Sequence, residues 1–295
     1  MKTPVFTGSA TALVTPYDET GVDYDLLEQI IERQAQAGTA ALVVCATTGE
    51  APVLTDRERA MLTGFCVRRA AGRMKVIVGI GGNNTHKASD AAREAEILGA
   101  DAVLLTAPYY NKSNREGLCR HFTAVADRIG LPLIAYNVPG RTSVACDADL
   151  YARLAEHPRI NGVKEASGDL SLVSRTAALC SDEFNIWSGN DDQTLPMMSL
   201  GAVGVISVAS NVVPKVIREL CDKCLQGDYE AARIIQHKYQ RLFELLFIEV
   251  NPIPVKAALH LMALDHGIYR PPLFPMEDVH LGELADCLRG LSLIS

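Results

Sequence analysis

Eight short apolar runs, each followed by a helical stretch, constrain this chain more than any other feature. The runs start near Ser9, Ala41, Lys75, Asp101, Pro132, Asn161, Phe184 and Val203, spaced 19 to 34 residues apart. A strand, a helix and two short loops need about 30 residues. The runs are nearly continuous rather than alternating, the pattern of parallel strands covered on both faces. Helix signals fill the gaps. Asp23 caps a stretch with Leu26, Leu27, Ile30 and Ile31 on one face, ending at Gly38. Thr55 and Glu58 form a capping-box pattern before Met61, Leu62 and Phe65. Thr85 opens an Ala-rich stretch ending at Gly99, and Asn114 opens one ending at Gly130. Eight such units in a row predict an α/β fold of the (β/α)8 TIM barrel type. A doubly wound sheet is the competing architecture. It places a Gly-rich phosphate turn after the first strand, where this chain has Thr15-Pro16-Tyr17.

No strand-like run follows Pro214. Helical patterns cover 215–226, 228–250, 252–267 and 276–291, so a C-terminal helical domain of residues 225–295 is expected on a catalytic barrel of residues 1–224. With 28 basic against 35 acidic residues, net −7, and no basic stripe, a nucleic-acid partner is excluded. The longest apolar run, Ala40 to Ala46, has seven residues, whereas a membrane helix needs about 20. Met1-Lys2-Thr3-Pro4 leads into no apolar region of signal-peptide length, so a cytoplasmic protein is expected. Eight cysteines in 295 residues are too sparse for a disulfide scaffold. The close pair Cys221 and Cys224 shares a helical stretch with Val216, Ile217 and Leu220 and is read as core packing, not as half a zinc site.

In a barrel, chemistry gathers where strands end. Those ends carry Thr47, Thr48, Gly49 and Glu50; Gly81, Gly82 and Asn83; Tyr109, Tyr110 and Asn111; Tyr136, Asn137 and Arg141; Lys164 and Glu165; and Ser188, Gly189 and Asp191. No histidine is among them, which argues against a His-carboxylate metal site and a Ser-His-Asp triad. Gly79-x-Gly81-Gly82 fails the dinucleotide fingerprint, because Asn84 stands where its last glycine belongs. Lys164 is the informative residue. A lysine facing a barrel mouth is partly desolvated, which frees a neutral amine to form a Schiff base with a carbonyl. Tyr136, one strand away, is read as a proton carrier or as a packed aromatic. Thr47 and Thr48 are read as a carboxylate site or as turn residues. Arg141 is read as a bidentate carboxylate clamp or as a surface ion pair.

Ala46-Thr47-Thr48-Gly49-Glu50, Pro108-Tyr109-Tyr110-Asn111, Tyr136-Asn137-Val138-Pro139-Gly140-Arg141-Thr142, Gly162-Val163-Lys164-Glu165-Ala166-Ser167-Gly168 and Asn251-Pro252-Ile253-Pro254-Val255-Lys256 stand in order along the chain. With Phe6-Thr7-Gly8-Ser9 at the start, the sequence closely resembles the dihydrodipicolinate synthase family over nearly its whole length. The resemblance implies a lyase that joins pyruvate to L-aspartate 4-semialdehyde through a lysine Schiff base, in lysine and diaminopimelate biosynthesis. It implies Lys164 as the imine lysine and Tyr136 as the proton shuttle. Thr47 and Tyr110 would continue the relay, Tyr110 reaching in from a neighbouring subunit. Thr48 would hold the pyruvate carboxylate, Arg141 the semialdehyde carboxylate, and Gly189 and Ile206 would line the pyruvate pocket. It further implies a homotetramer, with no metal and no organic cofactor. A sister pyruvate-lysine aldolase, of the N-acetylneuraminate lyase or keto-sugar-acid type, and a catalytically silent barrel are the alternatives. Arg141 speaks against the first, and the retained Lys164, Tyr136 and threonines against the second. In lysine-inhibited relatives the effector site uses a glutamate and a histidine where this chain has Lys87 and Arg59, beside matching Asn83 and Tyr109, so weak or absent lysine feedback is expected.

Overall fold

The computed structural model describes residues 2–295. Eight parallel strands close into one barrel in chain order: β1 (Gly8–Ala12), β2 (Ala41–Val44), β3 (Lys75–Gly79), β4 (Ala102–Thr106), β5 (Leu133–Asn137), β6 (Ile160–Glu165), β7 (Asn185–Ser188) and β8 (Gly204–Ser207). Each begins within one residue of its apolar run. Helices α1 (Tyr24–Gln36), α2 (Asp56–Ala70), α3 (Thr85–Ile97) and α4 (Arg115–Ala126) follow the first four strands. The short α5 (Pro139–Thr142) and α6 (Ala148–Ala155) follow β5, and α7 (Leu170–Cys180), α8 (Thr194–Ser199) and α9 (Pro214–Leu225) follow the last three. Three further helices, α10 (Tyr229–Leu245), α11 (Ile253–Leu261) and α12 (Asp278–Gly290), complete the chain. Among the described residues, no helix is long and apolar enough to cross a membrane.

The expected caps form. Asp23 accepts from the Leu26 N–H, Thr55 and Glu58 cap each other, and Asn114 accepts from Gly117. Some helix ends differ from the sequence reading. α4 stops at Ala126 rather than running to Gly130, whose N–H instead meets the Glu96 carboxylate at 2.7 Å. α10 stops at Leu245, not 250, where the Leu246 N–H is shared between the Leu242 and Glu244 carbonyls. α11 stops at Leu261, not 267, and Ala263 behind it takes the left-handed conformation. Cys221 and Cys224 are buried in α9, and burial pushes both thiols up, Cys224 to about 11. They are inert packing groups.

The N-terminal residues close the floor of the barrel. The Lys2 ammonium donates to the carbonyls of His157 and Ile160 at 2.8 and 3.0 Å. The Asn161 side chain bonds the backbone of Thr3 and Val5. Phe6 stacks on Trp187, with ring centres 5.3 Å apart, and its carbonyl accepts the indole N–H.

One irregularity in the sheet decides where the chemistry sits. Leu133 pairs with Ile160, but the next residue, Ile134, pairs with Gly162, so Asn161 is an extra residue on β6. Carried on without that shift, the ladder would set Tyr136 against Val163. With it, Tyr136 pairs with Lys164 and Asn137 with Glu165. Side chains alternate along a strand, so a one-residue difference exchanges its two faces. The bulge also brings Gly162 hard against β7: a Cβ there would lie 1.9 Å from the Asn185 carbonyl oxygen. Gly162→Ala is therefore expected to force the two backbones apart and cost about 1–3 kcal/mol of stability. Equilibrium denaturation checks this, and an unchanged midpoint would show that the strands yield freely.

Candidate active site

Lys164, next to last on β6, faces into the barrel with only 4 % of its surface exposed. Its Nζ stands 4.4 Å above the centre of the Tyr136 ring on the neighbouring strand. The residues on either side in sequence explain why this face is free for chemistry. Glu165 points the other way, where it accepts from both Asn137 Nδ2 (3.0 Å) and the Tyr151 hydroxyl (2.6 Å). The Ser167 N–H adds a third bond at 2.7 Å. That carboxylate is fully engaged in joining β5, β6 and α6, and burial beside it pushes the Tyr151 phenol up. Gly189, at the end of β7, leaves room for the lysine: a Cβ there would lie 2.6 Å from the Ala166 Cβ and 3.1 Å from Lys164 Cε.

A cavity of about 470 Å³ opens above the amine, lined by Lys164, Tyr136, Thr48, Arg141 and Gly189 among others. A second cavity, of about 500 Å³, adjoins it and is lined by Thr47, Tyr109 and Thr106. Arg141, Val138, Val250 and Asn251 line both. Asn251 is buried and organises this boundary. Its Nδ2 donates to Thr48 Oγ1 at 3.0 Å, and its backbone carbonyl accepts from Arg141 Nη2 at 2.8 Å. Since Thr48 Oγ1 accepts from Asn251, its own O–H is left to donate to a ligand. Under β8, buried Asp191 accepts from Ser207 Oγ and from the N–H groups of Val208 and Ala209. Burial pushes its carboxyl up while those three bonds pull it down.

The loop carrying Thr47 and Thr48 is held from behind by a buried ion pair. Glu50 sits in the left-handed region at φ 57°, a conformation that costs a non-glycine residue about 1–3 kcal/mol. Its carboxylate meets Lys256 Nζ at 2.8 Å, and both side chains are 0 % exposed. Lys256, on α11, also donates to the carbonyls of Thr15 and Ile268. Tyr17 lies between two cations, with Lys256 Nζ 4.5 Å and Arg270 Cζ 4.3 Å from its ring centre. Arg270 in turn makes a two-pronged pair with Glu58 and draws that carboxyl down to about 2.

Of the residues expected at the site, Lys164, Tyr136, Thr48, Arg141 and Gly189 line one cavity. Thr47 lines the adjoining one. Two lie elsewhere. Tyr110 is 91 % exposed, at φ 66°, and lines neither cavity of this chain. Ile206 is wholly buried on β8, where it pairs with Ala10, and Val208 lines the cavity in its place. Lys164 and Tyr136 likewise stand one residue from a strand end, but their longer side chains reach the cavity and that of Ile206 does not. Asn251, Glu50 and Lys256 are the residues that strand-end reasoning gave no role. The Asn-Pro-x-Pro punctuation ahead of Lys256 is the signal that marks a built turn there.

Removing one partner of a buried ion pair leaves the other charge uncompensated, at a cost of about 3–5 kcal/mol. Lys256→Met and Glu50→Gln are each expected to lose stability on that scale, and the double variant to recover most of it. Denaturant unfolding of the three variants measures the coupling. Losses that simply add would show that the two groups do not depend on each other.

Comparison with known proteins agrees with this geometry. A sequence model described as the Dihydrodipicolinate synthetase family matches residues 5–290. A 4-hydroxy-tetrahydrodipicolinate synthase of Thermoanaerobacter sp. (strain X514) is 45% identical over 292 residues, 99% of this chain and 98% of the relative. The crystal structure of a chloride-inhibited dihydrodipicolinate synthase from Acinetobacter baumannii, complexed with pyruvate, is 40% identical. It superposes with a TM-score of 0.96 over 98% of this chain and 99% of that one. A Cyanidioschyzon merolae relative with lysine bound is 38% identical, with a TM-score of 0.95 over 99% of this chain and 100% of that one. A bulge-set lysine–tyrosine pair at the mouth of a closed barrel, carried by a sequence matched from end to end, places this chain in the dihydrodipicolinate synthase family.

Proposed function

We propose that Lys164 is the imine-forming residue of an enzyme that condenses pyruvate with L-aspartate 4-semialdehyde. The observation that carries this reading is the buried amine at a strand end, 4.4 Å from the Tyr136 ring and facing a cavity of about 470 Å³. The amine attacks C2 of pyruvate, and loss of water leaves an imine. The imine makes the methyl protons of pyruvate acidic, and Tyr136 carries one away to give the enamine. The enamine carbon attacks the aldehyde carbon of the second substrate. The amino group of that substrate then attacks C2, closing the ring and releasing Lys164. Thr48, with its hydroxyl proton free, binds the pyruvate carboxylate beside Gly189. Arg141, on the wall shared by the two cavities, orients the carboxylate of the semialdehyde. Ile206 supports the pocket from beneath.

Thr47 continues the proton relay toward the adjoining cavity. Tyr110 projects from this chain into solvent, and in our reading it completes the relay of a neighbouring subunit in a homotetramer. The pyruvate complex of the A. baumannii relative supports the choice of first substrate.

Sodium borohydride added with pyruvate is expected to fix a three-carbon adduct on the peptide containing Lys164 and to abolish turnover. Peptide mass mapping checks it. Lys256 is the internal control, being more deeply buried than Lys164. An adduct on Lys256 or no adduct would overturn the assignment.

Arg59, Asn83, Lys87 and Tyr109 line one cavity of about 520 Å³, together with Asp56, Asp90 and Glu94. We propose that this cavity binds L-lysine weakly. An effector with two ammonium groups meets Lys87 and Arg59 there, and like charges at close range oppose binding. Turnover is expected to persist in 1 mM lysine. Half-inhibition below about 1 mM, roughly 4 kcal/mol of binding, would show that the three carboxylates outweigh the two cations.

A further inference from the structure

Residues 246–252, between α10 and α11, form a strap along one wall of the lysine cavity. Phe247, Glu249, Val250 and Asn251 all line it. At its far end the strap is tied to Thr48 and Arg141 through Asn251. Its middle is tied elsewhere. Glu249 Oε1 accepts from His280 Nδ1 at 2.7 Å and from the Glu277 backbone N–H at 3.0 Å. Glu277 is the cap residue immediately before α12, and its own side chain makes no cap there. Glu249 therefore supplies from outside what the helix start lacks: an acceptor for a free N–H and a negative charge at the positive end of the dipole. The base is firm, because α12 packs on both α10 and α11, the helices at either end of the strap.

We propose that Glu249 is a positioning residue for the second half of the reaction. It clamps the strap to the start of α12 and thereby sets where Asn251 and Arg141 stand when the aldehyde substrate arrives. α12 contributes no residue to either cavity lining, and this carboxylate is what joins its start directly to the strap. Lys164, Tyr136 and Gly189 are carried by β5, β6 and the end of β7, apart from the strap, and pyruvate meets the strap only through the Thr48–Asn251 bond, so imine formation depends on the clamp far less than semialdehyde binding does. The inference rests on the site assignment above, and the two fail separately. If Lys164 takes no adduct in the wild-type protein, the assignment fails. If it does, the clamp stands or falls on the split between substrates.

The experiment compares borohydride trapping of pyruvate with steady-state kinetics in the semialdehyde for three variants. Glu249→Ala is expected to raise the semialdehyde KM about tenfold, the scale of a lost charge-assisted hydrogen bond, while trapping of pyruvate slows far less. Glu249→Gln keeps an acceptor oxygen and is expected to restore most of the difference. His280→Ala removes one of the two bonds, and His280 lines neither cavity. A rise of a few fold there reports the clamp rather than substrate contact, and it keeps the test open should Glu249→Ala fail to fold. An unchanged semialdehyde KM in Glu249→Ala or in His280→Ala would overturn the proposal. So would an equal weakening of both substrates.

Discussion

Lys256 and Glu50 meet at 2.8 Å with neither side chain reaching solvent, and most of what makes the mouth of this barrel a site depends on that contact. Burying two charges is expensive, and attraction repays the cost only when geometry is good and the remaining donors are satisfied. Both conditions hold. Lys256 spends its other protons on the carbonyls of Thr15 and Ile268, and the faces of Tyr17 and Tyr269 enclose it at 4.5 and 5.2 Å. The pair joins the loop after β1, the loop after β2 and helix α11. It holds Glu50 in a strained backbone conformation, and Thr47 and Thr48 lie immediately before it. Two buried lysines thus divide the labour. Lys256 is locked by hydrogen bonds and an ion pair. Lys164 faces a cavity and an aromatic ring.

The sheet applies the same division to β6. Glu165 is outward and satisfied, so it fastens strands to a helix; Lys164 is inward, where it meets a tyrosine. The bulge at Asn161 fixes which is which, and Gly162 and Gly189 give the room that this close approach needs.

The barrel is legible in the sequence because its period is written eight times. Continuous runs such as Leu42–Val43–Val44 and caps such as Asp23 and Thr55 are local signals, and local signals survive in a linear reading. Lys164, Tyr136, Thr48 and Gly189 are legible for a related reason: each lies close to the C-terminal end of a strand, and those ends converge in this fold. Asn251, Glu50 and Lys256 are not, since their partners lie more than 200 residues away in the chain. No local pattern distinguishes an Asn that holds a threonine from one that ends a turn. Ile206, one residue from the end of β8 as Lys164 is from the end of β6, is buried and outside both cavity linings, and no local pattern tells the two situations apart. The family likeness names a role for Tyr110, which in this chain is exposed and lines neither cavity.

The floor of the barrel carries a consequence for how the protein comes into being. Lys2 reaches carbonyls 155 and 158 residues later in sequence, and the Phe6 carbonyl waits for an indole 181 residues away. At ribosomal speeds of about 5–20 residues per second, the first residues emerge roughly 10 to 40 s before their partners exist. β1 waits longer still for β8, which closes the cylinder. The first strand to be made is thus among the last to be enclosed, and a growing chain presents it as an unpaired sheet edge for most of synthesis. That edge stays open until β8 has been made.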